Sequence, residues 1–181
     1  VEKGRKTQEE ADAIIGRIQF IDDLSAFDNC GLVIEAIIEN LDIKHIIFRE
    51  LEDVVDSECI LATNTSSLSV ASIGSVLRHP ERMVGLHFFN PAPLMPLVEV
   101  VPCVQTKEGL AEECKKLMED WGKAPAIVKD TPGFIVNRVA RPFYGEALRI
   151  YEEGIADFAT IDWAMNELGG FRMGPFTLMD Y

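Results

Sequence analysis

The polypeptide has 181 residues, of which 48% are hydrophobic and 26% are charged, and its formal net charge is −13. This length and composition predict a folded globular protein with one domain, or one domain and part of another. A strongly acidic chain does not supply the basic face of a nucleic-acid-binding protein, so we expect no nucleic-acid partner. We also expect no membrane partner, because no apolar run approaches the roughly 20 residues that a spanning helix needs.

The cysteines bear on the compartment and on metal binding. Cys30, Cys59, Cys103 and Cys114 show no CxxC pairing and no histidine at metal-ligand spacing. Cys59 and Cys103 lie in apolar runs, where a small buried residue is the ordinary outcome. We therefore expect free thiols, no structural metal and a reducing compartment, the cytoplasm.

Both ends of the sequence have the pattern of an interrupted element. The chain has no initiating Met and no apolar leader, and it ends in the apolar run Leu178 to Tyr181. We therefore expect a longer parent polypeptide. Near the start, Lys3, Arg5 and Lys6 form a basic cluster that could hold an anion, although a solvated helix start is the simpler interpretation.

The first two thirds of the chain alternate between helical and strand patterns. A capping box at Thr7 and Glu10 predicts a first helix, and the alternating residues 18–21 predict a short strand. The apolar run 31–38 predicts a strand that is buried on both faces. Further strands are predicted over 60–63, 83–88, 97–101 and 126–128, and further helices over 42–54, 70–77 and 107–121.

This alternation predicts a doubly wound, mostly parallel α/β sheet of Rossmann type. Ligands bind such sheets beyond the carboxyl ends of the strands, which are followed here by Glu35 to Glu39, Asn64 to Ser67 and His87 to Asn90. The phosphate-binding Gly-x-Gly-x-x-Gly of a dinucleotide fold does not occur in the sequence. Either the fold binds no dinucleotide, or its first βα unit precedes Val1, which is the alternative that we favour.

A second domain is predicted after the sheet. Lys129 to Gly133 form a turn cluster, and beyond it two helical patterns run from Phe134 to Tyr151 and over 160–168. We therefore expect a partial nucleotide-binding domain over residues 1–129 and the start of an all-helical domain over residues 130–181.

One of the three histidines lies at a predicted strand end, where catalytic residues of such folds occur. His45 lies within a helical pattern and His79 in a polar turn, whereas His87 ends a predicted strand. Glu99 lies inside the apolar run 97–101, where a buried carboxylate is costly unless it is paired. A neighbouring strand would bring Glu99 to His87, fix the tautomer of the ring and raise the basicity of its other nitrogen. The alternative is that Glu99 faces solvent on an edge strand.

Other polar residues have two interpretations each. Ser66 and Ser67 follow a strand, and their hydroxyls could bind a substrate oxygen or cap the next helix. Asn137 could contact a substrate in the cleft between domains or form a hydrogen bond to another helix. Glu39 and Lys44 flank the turn after the 31–38 run, and structural reasoning alone gives neither of them a ligand.

Four motifs together resemble the L-3-hydroxyacyl-CoA dehydrogenase family, in family order and over nearly the whole chain. They are Val33 to Leu41, Ala62 to Ser67, Gly85 to Pro91 with Leu97 to Val100, and Thr131 to Arg138. The resemblance implies an NAD-dependent oxidoreductase of fatty acid β-oxidation that interconverts L-3-hydroxyacyl-CoA and 3-ketoacyl-CoA. Within the family the chain is most similar to bacterial 3-hydroxybutyryl-CoA and phenylacetate-pathway enzymes.

The resemblance also implies roles for individual residues. His87 matches the catalytic histidine of the family and Glu99 its carboxylate partner. Ser66 and Asn137 match the residues that position the substrate. The residues that match positions near the nicotinamide and ribose of NAD are Ile38, Glu39, Lys44 and Asn90.

The implied partners are an acyl-CoA substrate and a second copy of the chain. The segment Gly170 to Phe176 matches a motif of the helical C-terminal domain, which provides the dimer contacts in the family. Because the glycine-rich loop is absent, we expect these 181 residues alone to bind NAD poorly and to show little activity. The alternatives are a structural, crystallin-like relative and a dehydrogenase of the same fold that acts on a sugar acid.

Overall fold

The computed structural model describes residue 4 and residues 6–180. In this part of the chain five strands form one sheet in the order β1-β2-β3-β4-β5. The strands are β1 (Leu32–Glu35), β2 (Ile60–Thr63), β3 (Met83–Phe88), β4 (Leu97–Pro102) and β5 (Ala124–Ile127). Of the predicted basic cluster, Lys3 and Arg5 lie outside the described residues, and Lys6 is exposed.

The sheet is parallel except at one junction. β1, β2 and β3 are parallel neighbours, β4 is antiparallel to β3, and β5 is parallel to β4. The segment 89–96 that joins β3 to β4 holds no helix, and a parallel return would need a crossover of a dozen or more residues. The predicted mostly parallel α/β sheet is confirmed, and the connection explains why β4 runs the other way.

Seven α-helices accompany the strands in the described residues, and Leu24–Phe27 and Pro80–Arg82 form short 3-10 helices. The α-helices are α1 (Gln8–Ile15), α2 (Leu41–Val54), α3 (Val70–Gly74), α4 (Leu110–Asp120), α5 (Val136–Glu152), α6 (Phe158–Trp163) and α7 (Pro175–Met179). A single π-helical segment, Ala164–Leu168, continues α6. The predicted capping box of α1 is confirmed, because the Thr7 hydroxyl accepts the N–H of Glu10 and the Glu10 carboxylate accepts the N–H of Thr7.

Helices cover both faces of the sheet, as a doubly wound fold requires. Successive residues of a strand point to opposite faces, so Leu61 packs with α2 and α3, while Ile60 and Ala62 pack with α4. The helix residues of the first layer include Phe48, Leu51, Val70 and Ile73, and those of the second include Leu110, Cys114 and Met118. Burial raises the pKa of the Cys114 thiol to about 11, which keeps it protonated in this apolar layer.

Two strand predictions are wrong. Residues 18–21 form no strand, and Phe20 is 89% exposed, because no described strand lies beside this segment to pair with it. The run 31–38 was expected to be buried on both faces, but β1 ends at Glu35 and alternates between half-buried and buried positions at the edge of the described sheet. The backbone N–H of Ile37 donates to the Glu35 carboxylate at 2.7 Å, and the chain turns there.

Several helix boundaries also differ from the prediction. The helix predicted over 70–77 ends at Gly74, and the one predicted to begin at Lys107 begins at Leu110. Gly109 adopts a φ of 85°, a left-handed conformation that interrupts a helix and therefore delays its start. The predicted helix after residue 134 is confirmed as α5. No described helix is long and apolar enough to cross a membrane.

The close approach of β3 to its neighbours yields a prediction on stability. A Cβ at Gly85 would lie 2.8 Å from Val101 Cβ and 2.9 Å from Val70 Cγ2. We expect Gly85→Ala to lower the free energy of unfolding by about 1–3 kcal/mol, since the core cannot accept the added volume without shifting. Chemical denaturation measures this change.

Gly145 provides the matched control for the same substitution. It lies inside α5, and a Cβ there would meet nothing within 4 Å. Gly145→Ala should therefore raise the free energy of unfolding by roughly 0.5–1 kcal/mol, because alanine loses less backbone entropy in a helix than glycine. Equal effects of the two substitutions would contradict the close approach at Gly85.

Candidate functional site

Polar residues gather where the parallel strands end. Glu35 closes β1, Thr63 closes β2, and His87 is the penultimate residue of β3. Since β1, β2 and β3 run in the same direction, these ends meet at one edge of the sheet. The ends are joined by hydrogen bonds: the Thr63 hydroxyl donates to Glu35 at 2.7 Å, and Asn64 Oδ1 accepts the N–H of Phe88 at 2.8 Å.

His87 and Glu99 form a buried pair. The antiparallel register places them directly opposite each other, and His87 Nδ1 lies 2.7 Å from Glu99 Oε2. Their side chains are 8% and 1% exposed. The contact expected from the sequence is therefore present, and the alternative of a solvent-facing Glu99 on an edge strand is wrong. Because a carboxylate only accepts hydrogen bonds, Nδ1 carries the proton and Nε2 is left as the basic nitrogen.

The second oxygen of Glu99 holds the start of α5. Glu99 Oε1 accepts the backbone N–H groups of Ile135 and Val136 at 2.9 and 3.0 Å. These N–H groups have no acceptor within the helix, and the positive end of the helix dipole stabilises a carboxylate there. The buried charge is thus compensated from both sides, by the histidine and by the helix.

Aromatic rings fix the other faces of His87. Its ring centroid lies 4.6 Å from that of Phe89 and 5.7 Å from that of Phe134. Phe134 is buried, with a positive φ of 46°, and directly precedes the segment that Glu99 binds. Among the described residues His87 Nε2 has no hydrogen-bond partner, which leaves this nitrogen available to a ligand.

Ser66, in the loop after β2, is in contact with Asn137 of α5. Asn137 Nδ2 donates to the Ser66 carbonyl oxygen at 3.3 Å, and both residues are half-buried. The amide therefore contacts the loop after β2 and not another helix. Neither Ser66 nor Ser67 caps the following helix, as the alternative interpretation proposed, because Ser69 is the N-cap of α3. The Ser66 hydroxyl has no hydrogen-bond partner in the described part of the chain.

Glu39 connects the loop after β2 to the first turn of α2 through hydrogen bonds and an ion pair. Its Oε1 accepts the N–H groups of Ser66 and Ser67 at 3.0 and 3.2 Å and also the hydroxyl of Thr65. Its Oε2 lies 3.2 Å from Lys44 Nζ. Burial raises the pKa of Glu39, but the hydrogen bonds from Thr65, Ser66 and Lys44 outweigh it and lower the pKa to about 2.

Lys44 is buried and also pairs with Glu35. Its side chain is 1% exposed, and Nζ lies 2.6 Å from Glu35 Oε1. Ile38 and Asn90, the remaining residues implied by the resemblance, lie exposed after β1 and β3. The eight predicted site residues therefore fall into the His87 pair, the Ser66–Asn137 contact, the Glu39–Lys44 pair and two exposed positions.

Sequence reasoning missed two anchoring carboxylates. Glu35 lies in an apolar strand, as Glu99 does, and the same argument about buried charge could have identified it. Asp130 had no such signal: its carboxylate binds the Ser69 hydroxyl and the N–H groups of Val70 and Ala71 at 2.8–3.0 Å. This contact fixes the segment that follows the sheet to the start of α3.

The Glu99 contacts predict a change of tautomer in Glu99→Gln. The two backbone N–H groups at Ile135 and Val136 require an oxygen, so the amide nitrogen of the glutamine must face His87. Nδ1 of His87 then accepts a hydrogen bond, and the proton moves to Nε2. We expect nitrogen NMR of the His87 ring to report Nδ1–H in the native protein and Nε2–H in the variant. An unchanged tautomer would contradict the assigned roles of the two Glu99 oxygens.

The low pKa of Glu39 predicts a dependence of stability on pH. A carboxyl group whose pKa falls from 4.5 to about 2 on folding stabilises the folded state fully well above pH 4.5, and this stabilisation is lost as the pH falls toward 2. Glu39→Gln removes the titrating group. The difference in free energy of unfolding between native and variant proteins should shrink over this range in denaturation experiments. A difference that does not change with pH would contradict the prediction.

Comparison with known proteins extends over the whole chain. Residues 1–131 match the family 3-hydroxyacyl-CoA dehydrogenase, NAD binding domain, and residues 133–181 match the C-terminal domain of 3-hydroxyacyl-CoA dehydrogenase. The prediction of NAD as the cofactor is confirmed by the first match.

Relatives and solved structures agree with the family match. The 3-hydroxyadipyl-CoA dehydrogenase of Escherichia coli (strain K12) is 44% identical over 180 residues, which are 99% of this chain and 38% of the relative. A probable 3-hydroxybutyryl-CoA dehydrogenase of Deinococcus radiodurans is 41% identical over 180 residues, which are 99% of this chain and 64% of the relative. The chain thus spans less than two thirds of the length of either relative.

The crystal structure of 3-hydroxybutyryl-CoA dehydrogenase from Escherichia coli K12 has the same fold, with a TM-score of 0.94 and 44% identity. The superposition covers 99% of this chain and 38% of that chain. The motifs, the sheet with its helices and the sequence matches lead to one conclusion: the chain belongs to the 3-hydroxyacyl-CoA dehydrogenase family.

Proposed function

We propose that the full-length protein carrying this chain interconverts L-3-hydroxyacyl-CoA and 3-ketoacyl-CoA with NAD. The observation that carries the proposal is the His87–Glu99 pair, with Nδ1 of His87 held 2.7 Å from a buried carboxylate. In the neutral ring this contact places the proton on Nδ1, so the lone pair of Nε2 can accept a hydroxyl proton. The substrate class is the CoA thioester of a 3-hydroxy acid.

In the proposed reaction His87 Nε2 takes the proton of the 3-hydroxyl group, and in the reverse direction it returns that proton to the carbonyl oxygen. Glu99 stabilises the imidazolium that forms. Ser66 and Asn137 donate hydrogen bonds to the substrate oxygens, where negative charge develops. NAD, when bound, supplies the acceptor for the hydride of C3.

The residues of this chain fit the nicotinamide end of NAD. Ile38, which is 67% exposed, offers an apolar surface after β1, and Asn90 offers an exposed amide after β3. Glu39, which follows Ile38 in the chain, pairs with Lys44 and accepts the backbone N–H of Ser66. The sequence contains no Gly-x-Gly-x-x-Gly, so we propose that residues outside this chain hold the pyrophosphate.

We propose a division into a nucleotide-binding part over 1–129 and a helical part over 130–181. The helical part would pair with a second copy of the protein. Large apolar side chains that remain exposed there support such an interface, including Val139 at 71%, Ile155 at 68% and Leu168 at 76%. We place the protein in the cytoplasm, where its buried free thiols at Cys59 and Cys114 would stay reduced.

The test of the proposed function is His87→Gln in the full-length protein. Loss of a general acid–base group should lower kcat by about 10²–10⁴-fold, measured as NADH absorbance with acetoacetyl-CoA. His79→Gln is the matched control, because the His79 side chain is 63% exposed and lies in a turn away from the strand ends. Inactive native protein, or equal activity of the two variants, would refute the proposal.

A further inference from the structure

Glu35 is a buried carboxylate for which the proposed reaction has no use. It ends β1 with 1% of its side chain exposed. One oxygen accepts Lys44 Nζ at 2.6 Å and the N–H of Ile37 at 2.7 Å, and the other accepts the Thr63 hydroxyl at 2.7 Å. The carboxylate thus faces three donors, one of them an ammonium group, and each of these hydrogen bonds is charge-assisted.

The charges around Lys44 do not balance. Lys44 contacts two carboxylates, Glu35 at 2.6 Å and Glu39 at 3.2 Å, and no other cation pairs with either of them among the described residues. The cluster of Glu35, Glu39 and Lys44 therefore carries one negative charge more than a neutral pair would. Lys44 neutralises only one of the two carboxylates, so loss of the Glu35 charge would leave a neutral pair of Lys44 and Glu39.

Little solvent surrounds the cluster of Glu35, Glu39 and Lys44, so water screens its excess negative charge poorly. The Glu35 and Lys44 side chains are each 1% exposed, whereas the Glu39 side chain is 35% exposed and lies next to the loop after β2. Partly buried charges act through a lower effective dielectric constant than charges in water. Their electric field is therefore screened less and extends further. A ligand at the exposed segment after β1 would experience this field.

We propose that Glu35, acting through Lys44 and Glu39, makes the site bind the oxidised cofactor more tightly relative to the reduced one. This inference rests on the proposed function, which places the nicotinamide beside Glu39. The ring of NAD⁺ is cationic and that of NADH is neutral, so a net negative cluster attracts the former selectively. Tighter binding of the oxidised form also lowers the reduction potential of the bound couple. Glu35 is thus a positioning residue that acts at a distance from the reacting atoms.

The substitution Glu35→Gln isolates the charge. The amide has the shape of the carboxylate, its oxygen can still accept Lys44 and Ile37, and the Thr63 hydroxyl can accept from its nitrogen instead of donating. The measurement is the ratio of the Kd for NADH to the Kd for NAD⁺, obtained by isothermal titration of the full-length protein with each cofactor. We expect this ratio to fall by about three- to tenfold in Glu35→Gln, the effect of one screened charge at several ångströms.

Two controls separate charge from shape. Thr63→Val removes the hydroxyl that binds Glu35 but keeps both carboxylates, and Glu35→Asp shortens the side chain but keeps its charge. A purely structural role would weaken the binding of both cofactors in these variants. The charge role predicts that their ratio of Kd values stays within about twofold of the native ratio, while that of Glu35→Gln does not.

Failure of the proposed function and failure of the inference about Glu35 would give different results. Native protein that binds cofactor but shows no turnover of acetoacetyl-CoA refutes the proposed function. Active native protein with the same ratio in folded Glu35→Gln, or an equal shift in Thr63→Val, overturns this inference alone. If circular dichroism shows that Glu35→Gln does not fold, Glu39→Gln removes one charge from the same cluster at a more exposed position. An unchanged ratio in that variant would overturn the inference as well.

Discussion

The site depends on the carboxylate of Glu99, because it is the point where three elements are joined. One oxygen binds His87 of β3, the other binds the first N–H groups of α5, and the residue itself lies in β4. A buried carboxylate with fewer partners would cost several kcal/mol, so the geometry of all three elements is constrained by the need to satisfy it. The hydrogen bonds that stabilise the buried Glu99 carboxylate therefore also fix the orientation of His87.

The loop after β2 joins the remaining parts of the site. Its backbone at Ser66 donates to Glu39 of the turn before α2 and accepts from Asn137 of α5. Next to it, Asn64 accepts from the backbone of β3. A short loop held by three elements keeps little conformational freedom, and a hydroxyl that it carries is positioned before any ligand arrives.

Much of the fold could be predicted from sequence patterns because apolar periodicity reflects burial. β2 and β3 were predicted with their observed bounds, since nearly all their residues are buried. α5 was predicted within a few residues from its apolar periodicity, although Ala147 is its only buried residue in the described structure. The strand predicted over 18–21 failed for the converse reason. Its apolar residues are exposed in the described part of the chain, and periodicity cannot tell an unpaired segment from a paired one.

The site was predictable where a polar residue interrupts an apolar strand. This signal identified Glu99, and it was equally present at Glu35. The capping role of Asp130 was not predictable, because it depends on how the end of the sheet folds back onto α3, which no local pattern encodes. The assignment of Ser66 or Ser67 as a helix cap failed because Ser69, three residues after Ser66, competes for the same role.

The antiparallel junction between β3 and β4 determines which changes of chain length the site can tolerate. His87 and Glu99 face each other through strand register, so the number of residues in the connecting segment 89–96 does not enter their geometry. An insertion there lengthens a surface loop at small entropic cost. One residue added within β3 before His87, or within β4 between Glu99 and its end, would turn a side chain to the opposite face of the sheet. Beyond Phe89 and Asn90, which have roles at the site, variation in length should thus be tolerated between the strands and disruptive within them.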